Sequence, residues 1–441
     1  MQRTDRSIKI LLICCAVAVL AALVGCRASF EGSPSAQPNG SVNATAHGVS
    51  PENDGAQNSK ALQALIDSLS DEGGIIYIPS GEYVFAANGS QTIGSHCIKM
   101  RSDVSIVGDG DSTILKPTGN SVYGLDMFYF NDYLDTGEAV YLQNCRFESF
   151  AIDATGTSCT YYTSAGKGFM FNLFENCHWK KVTVKNTDAT GFGVDCPINS
   201  TITECVAIGC GKAATEENTG ASGFGIGFGY SENESLSITD CLSEGNKKFG
   251  FFFEHQGRFN SEKYSAVPKE SFCVKNCEAN GNLFGFGGIC AANTVYEKCR
   301  SKDSLRCGFL FRNSENTKVL NCVSERDGEA SFVILQDNKD GNVAVTDVSF
   351  LGCTGKNATV GLKIVSENPS ADMGENRAEN CTFLQTKHAV YTEGTMRSLT
   401  LSQNKADSGE VVFLAEIKDF KNIDNSWNAV VSNSGNIKNN D

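Results

Sequence analysis

The sequence predicts an all-β chain wound into a solenoid, with one helix closing its N-terminal end. Two recurring residue pairs and their spacing carry that expectation. The first pair sets a cysteine after a short strand-like stretch: Asn144-Cys145, Asn176-Cys177, Glu204-Cys205, Asp240-Cys241, Asn276-Cys277, Lys298-Cys299, Asn321-Cys322, Gly352-Cys353 and Asn380-Cys381. The second pair opens an apolar strand: Gly168-Phe169, Gly191-Phe192, Gly223-Phe224, Gly250-Phe251, Gly285-Phe286 and Gly308-Phe309, with degenerate copies at Ser331-Phe332, Gly361-Leu362 and Ala389-Val390. The six Gly-Phe starts lie 23, 32, 27, 35 and 23 residues apart, a base period of 23 with insertions. Strand-length pieces without a helical period make each unit a β-coil.

The elements follow in order. Residues 1–25 read as a lipoprotein signal peptide. Arg3, Arg6 and Lys9 precede the apolar run Ile10 to Val24, which is short of the ~20 residues a membrane span needs. The run ends Leu23-Val24-Gly25-Cys26, which resembles the lipobox of bacterial lipoproteins. That resemblance implies cleavage before Cys26, a lipid on its thiol, and an extracytoplasmic protein held to a bacterial membrane. Residues 26–41, rich in Ser, Ala, Gly, Pro and Asn, read as a flexible tether. Residues 42–441 form the single solenoid domain. Between Asn58 and Ser70, Leu62, Leu65, Ile66 and Leu69 make a helical stripe, placed to cover the unpaired edge of the first coil. Gly74-Ile75-Ile76-Tyr77-Ile78-Pro79-Ser80-Gly81 is a strand and turn, and short strands with turns continue from there to about residue 430.

The composition limits the partners. A hydrophobic content of 41% supports a sizeable core, and a net charge of −14 argues against a basic nucleic-acid-binding face. Sixteen cysteines follow Cys26. Their regular ladder predicts buried, reduced thiols packed as small hydrophobes, although coils about 4.8 Å apart would not forbid disulfides. No CxxC pair and no Cys/His cluster at ligand spacing is present, so no metal site is expected.

The helix, the stretch from Gly73 to Phe85 and the segment Val104-Ser105-Ile106-Val107-Gly108-Asp109-Gly110 together resemble the start of the pectate-lyase-like right-handed parallel β-helix superfamily. Similarity to the catalytic module of bacterial mannuronan C5-epimerases runs from about Val42 to Arg312. It includes Gly166-Lys167-Gly168, where that family has a catalytic lysine. It also includes Phe192-Gly193-Val194-Asp195-Cys196-Pro197, where the family has Tyr-Gly-Phe-Asp-Pro-His. The resemblance implies a pectin-lyase fold, a polysaccharide partner containing uronate, and lyase or C5-epimerase chemistry with Asp195 and Lys167 in catalytic roles. The family's tyrosine and histidine are replaced by Phe192 and Pro197, and its calcium-binding nonapeptide modules are absent.

Strand phase selects the same region. If the Phe of Gly-Phe points inward, the residue four after the Gly points outward. That column reads Asn172, Asp195, Gly227, Glu254, Ile289 and Arg312. Removing the C5 proton of a uronate needs its carboxylate neutralised and a positioned base. Asp195 would meet the carboxylate, and Lys167 or His255 would exchange the proton. Glu254, two coils from Asp195 and so roughly 9.6 Å away, would be a second catalytic carboxylate. Arg312, Asn172 and Phe192 would bind the chain. The pattern demands no cofactor and leaves Ca²⁺ open as a neutralising cation. The competing reading is a non-catalytic glycan-binding or adhesion lipoprotein on the same scaffold, favoured by the loss of the family's Tyr and His.

Overall fold

The computed structural model describes residues 37–439, apart from 219, 260–262, 338–344, 368–372, 429, 434 and 436. The signal segment 1–25, Cys26 and most of the tether lie outside the described residues.

Helix α1 (Gly55–Ser68) starts three residues before the expected Asn58. The reason is local. Asp54 accepts from the Gln57 N–H at 2.8 Å while the Gln57 side chain accepts from the Asp54 N–H at 3.0 Å, a reciprocal cap that fixes the first turn. Leu62, Leu65 and Ile66 are buried, and the buried Ser59 hydroxyl donates to the Ala86 carbonyl at 2.7 Å. The helix is thereby seated on the first coil.

Every coil then contributes one strand to a parallel sheet on one wall. After a short antiparallel edge strand at Gly89–Gln91, its successive parallel strands are β1 (Gly94–Lys99), β2 (Leu125–Phe130), β3 (Phe169–Glu175), β4 (Phe192–Ile198), β5 (Phe224–Phe228), β6 (Phe249–His255), β7 (Phe284–Ile289) and β8 (Cys307–Arg312). It continues through Ala330–Gln336, Val360–Ser366, His388–Glu393 and Glu410–Phe413. The rest of each coil supplies two short strands to the opposite walls, such as Leu236–Thr239 and Leu242–Glu244. All of these pair in parallel with the coils above and below. The fold is the expected all-β parallel β-helix.

Both repeated pairs have a physical cause. In Asn-Cys, the residue before the cysteine is left-handed in all nine copies, with φ between 51° and 66°. Asn, Asp and Gly tolerate that region best, which explains why they dominate the position. The bend turns each cysteine inward, where all nine are buried. All sixteen cysteines are free thiols; fourteen are buried, and Cys159 and Cys273 are partly exposed. Neighbouring ladder members touch through hydrogen bonds, as from the Cys205 N–H to Cys241 Sγ at 3.3 Å.

In Gly-Phe, a Cβ on the glycine would collide with the next coil, lying 2.6 Å from the Gly285 carbonyl oxygen at Gly250 and 2.5 Å from the Gly308 oxygen at Gly285. The phenylalanines stack along the axis inside the solenoid. Phe192 and Phe224 lie 4.7 Å apart at 8°, and Phe224 and Phe251 4.7 Å apart at 1°.

Candidate functional site

The outer face of the β1–β8 wall carries the candidate residues. Pairing puts Asn172 beside Asp195, Asp195 beside Gly227, Gly227 beside Glu254, Glu254 beside Ile289 and Ile289 beside Arg312. The outward column read from the repeat phase is therefore in register.

Phe192 does not belong to this surface. It is fully buried in the inner stack, because alternation sends it inward while Asp195, three residues on, faces out. It cannot touch a ligand, which corrects the expectation that it binds substrate. Pro197 is buried as well.

Lys167 and Asp195 are brought together by a glycine. Lys167 starts one coil before Asp195, and its side chain lies across the backbone of Gly193. A Cβ at Gly193 would sit 2.4 Å from Lys167 Cδ and 2.9 Å from both Cε and Nζ. Beneath it is Asp126, fully buried. One oxygen of Asp126 accepts from the Gly166 and Lys167 N–H groups at 2.8 and 2.6 Å, and the other accepts from Gln91. Asp195 accepts from the Gly227 N–H at 2.7 Å. Burial pushes the carboxyl of Asp195 up from its ordinary value, against the pull of the Lys167 charge and of that N–H. Asp126 is likewise pushed up by burial, against its N–H donors and the same ammonium. Among the described residues, the Lys167 ammonium has no hydrogen bond and no carboxylate oxygen within 4 Å. Its charge nonetheless acts on both Asp126 and Asp195.

The column is half-buried rather than open to water, because the insertion after β6 folds back over it. Gln256 lies against Gly227, where a Cβ would meet its Nε2. Farther along, Tyr264 comes close enough to feel both the Asn172 side chain and the Asp195 charge, with its ring 6.1 Å from that of Tyr230. Asn172 is only 8% exposed, and its Oδ1 has no hydrogen-bond partner among the described residues. The Lys263 ammonium lies 2.7 Å from the centroid of the Tyr133 ring and 4.8 Å from that of Tyr264.

His255 holds this insertion in place. The Gly257 N–H donates to its Nδ1 at 3.0 Å, so Nε2 carries the proton and donates to the Ala266 carbonyl at 2.9 Å. Both ring nitrogens are committed to backbone, so His255 organises the turn and has no nitrogen left to exchange a substrate proton. Glu254 is partly exposed beside it. Arg312 stands 3.6 Å from the buried Asp337, two coils past Glu254. Neither converges on Lys167 and Asp195.

Two site residues were not selected from the sequence. Asp126 lies one coil before the first Gly-Phe pair, in Leu125-Asp126-Met127-Phe128, where Phe128 already continues the inner stack at 5.4 Å from Phe169. That alignment could have found it. Tyr264 sits in an insertion with no repeat phase, and no sequence signal points to it. Among the described residues, no three Asp, Glu, His or Cys side chains converge as a cage. No step below uses a cation.

Successive coils paired in parallel along continuous walls define the chain as a parallel β-helix protein. More particularly, the chain belongs to the pectate-lyase-like rhamnogalacturonase A/epimerase family, whose model matches residues 41–309. No curated protein matches it. Among solved structures it is similar to the A-module of the mannuronan C-5 epimerase AlgE4 of Azotobacter vinelandii, with 16% identity over 89% of this chain and 98% of that one and a TM-score of 0.51. It is also similar to PfbA, a surface adhesin of Streptococcus pneumoniae, with 11% identity over 90% and 93% and a TM-score of 0.55. A third neighbour is the catalytic domain of a GH87 α-1,3-glucanase solved with nigerose, with 14% identity over 92% and 70% and a TM-score of 0.56. At these identities the likeness concerns the fold.

Proposed function

We propose that this protein acts on a uronate-containing polysaccharide, removing the proton on C5 of a uronate residue held over Lys167 and Asp195. The observation that carries this reading is the Lys167 ammonium, laid across Gly193 without a hydrogen bond between two carboxylates. Lys167 is partly exposed, so its charge is open to a bound carboxylate as well as to water, and a charge-assisted contact of this kind is among the stronger polar interactions. Asp195, its acidity weakened by burial, presents a carboxyl that can hydrogen-bond a substrate carboxylate instead of repelling it. In its unprotonated amine form Lys167 takes the C5 proton in this reading, since His255 has both nitrogens engaged. The net charge of −14 opposes a polyanion at long range, so local recognition depends on this lysine.

The test is incubation of the protein in D₂O with poly-mannuronate, polygalacturonate and polyglucuronate, followed by NMR. Deuterium at C5 supports the reading. Binding without exchange on the polymer that binds best would favour the glycan-binding alternative, which the replacement of the family's Tyr and His by Phe192 and Pro197 recommends.

The protein reaches its substrate outside the cytoplasm, tethered to a membrane by lipid on Cys26. Cys26→Ser should release it from the membrane fraction and lower its mass by the lipid. An unchanged mass and fractionation would remove the anchor from this reading.

A further inference from the structure

We infer that the cleft beside Arg146 and His178 is a second carbohydrate site, which holds the carboxylate of one uronate residue of a polymer. This rests on the reading that the polymer contains uronate, and not on the chemistry at C5.

The cleft lies on a different wall from Lys167. Arg146 opens the strand Arg146–Asp153, and His178 opens the strand His178–Lys185 in the next coil. Pairing puts the two side by side, and the Arg146 N–H donates to the buried Ser105 hydroxyl of the coil before at 3.0 Å. Lys167 precedes the first residue of β3, whereas Asn176 follows its last. The seven residues of β3 span roughly 23 Å, so no single sugar touches both places.

Strand alternation builds the floor. Phe147 and Trp179 point inward, fully buried, with their rings stacked 5.4 Å apart at 16°. Their neighbours Arg146 and His178 are thereby held outward on a rigid support. The corner before these strands is left-handed at Asp103, Asn144, Asn176 and Asn199, and their side chains form a ladder. Asn144 donates to Asp103 at 2.7 Å, Asn176 to Asn144 at 3.3 Å and Asn199 to Asn176 at 2.6 Å. The ladder uses one N–H and one lone pair of Asn144 and of Asn176, which leaves each carboxamide a second donor and a second acceptor. Ser105, Asn144, Cys145, Arg146, Asn176 and His178 together line an open cleft of about 300 Å³. That is the lower end of the roughly 300–1,000 Å³ of small-ligand clefts, and suits one sugar residue.

The lining matches a carboxylate flanked by hydroxyls. The Arg146 guanidinium faces Glu148 only through Nε at 3.8 Å, beyond hydrogen-bond distance, and a guanidinium fork fits a carboxylate. Lys180, exposed and in register with Glu148, adds a second cation to the same face. His178 shares Nδ1 with the Thr201 hydroxyl at 3.0 Å, and among the described residues Nε2 has no hydrogen bond. Burial and the Arg146 charge hold this imidazole below its ordinary value, with no carboxylate acting against them. A guanidinium, an ammonium and an imidazole gathered on one face run against the net charge of −14, and make this cleft complementary to an anionic sugar. The two free amide edges are placed for the hydroxyls beside its carboxylate.

The test is proton NMR of the purified protein. The chain has five histidines, so the His178 imidazole signal is assigned by its loss in His178→Gln. Trimers of mannuronate, galacturonate and glucuronate are titrated in, with maltotriose and inorganic phosphate as controls. At least one uronate trimer should move the His178 signal saturably. Arg146→Met should weaken that binding by about tenfold or more, and Lys180→Gln by less, while both variants melt with the wild type. No response to any uronate trimer, an equal response to maltotriose, or unchanged affinity in Arg146→Met would overturn the site. Phosphate binding as tightly as the trimers would make it a general anion site and overturn the sugar assignment. Exchange at C5 is read separately on the same trimers and should run at the wild-type rate in Arg146→Met. A wild type that exchanges no C5 proton but whose His178 signal answers a uronate trimer would sink the chemistry over Lys167 and support this site. Exchange at C5 without a His178 response would do the reverse.

Discussion

A Gly193→Ala protein should fold normally and turn over its uronate polymer about 10²-fold more slowly than the wild type. The nearest atoms to the added methyl all belong to Lys167, at 2.4 Å from Cδ and 2.9 Å from Cε and Nζ. These are the far atoms of a flexible side chain, so the lysine will swing aside and the strand will stay where it is. The cost to folding should stay at about 1 kcal/mol or less, since a Gly→Ala change also stiffens the unfolded chain. The catalytic cost is much larger, because a displacement of about 1 Å in a positioned group can cost about 10²-fold. Asp195→Asn sets the scale. It keeps shape and removes the ionisable group, and should also cost about 10²-fold or more. Melting temperatures and turnover, measured together on Gly193→Ala, Lys167→Met and Asp195→Asn, separate the cases. If Gly193→Ala melts like the wild type and retains full rate, Lys167 does not act from above Gly193, and the centre proposed here is wrong.

The difference between Gly193 and its neighbours explains how much of this molecule the sequence disclosed. Coil geometry repeats, so it leaves a periodic trace. The left-handed residue before each ladder cysteine and the glycine pressed against the next coil both recur at fixed phase. From them the solenoid, the inner phenylalanine stack and the outward column could be read directly. Asp195 was reachable for that reason, and Asp126 was within reach once Phe128 was aligned with the stack.

What could not be read is aperiodic. The insertion after β6 follows no repeat, yet its Gln256 lies against Gly227 and its backbone engages both nitrogens of His255. A histidine next to Glu254 in the sequence looks like a base. Only the folded insertion shows its lone pair already taken. Phe192 misled differently. The family position suggested a contact with substrate, while its own strand phase, three residues from Asp195, sent it into the core.

The inner stack should show its worth in stability. Phe224→Ala is expected to destabilise the solenoid by about 3–5 kcal/mol, the usual cost of deleting a buried phenylalanine. Phe224 is fully buried between Phe192 and Phe251, each 4.7 Å away and nearly parallel. The gap cannot close. Backbone hydrogen bonding on both sides fixes the coil spacing, with Phe224 paired to Phe192 and to Phe251. A neighbouring ring that moved to fill the space would have to leave its own register. In a solenoid, stability is close to a sum of coil terms and nearest-neighbour interfaces. The loss should therefore concentrate in the coils from Phe192 to Phe251, the segment that carries Asp195. Hydrogen exchange should rise there first, ahead of the coils around Phe350 and Phe383, whose contacts are untouched. Uniform loss of protection along the whole chain would mean that the solenoid unfolds as one cooperative block. A destabilisation below ~1 kcal/mol would mean that the stack relaxes more freely than its hydrogen-bonded spacing allows.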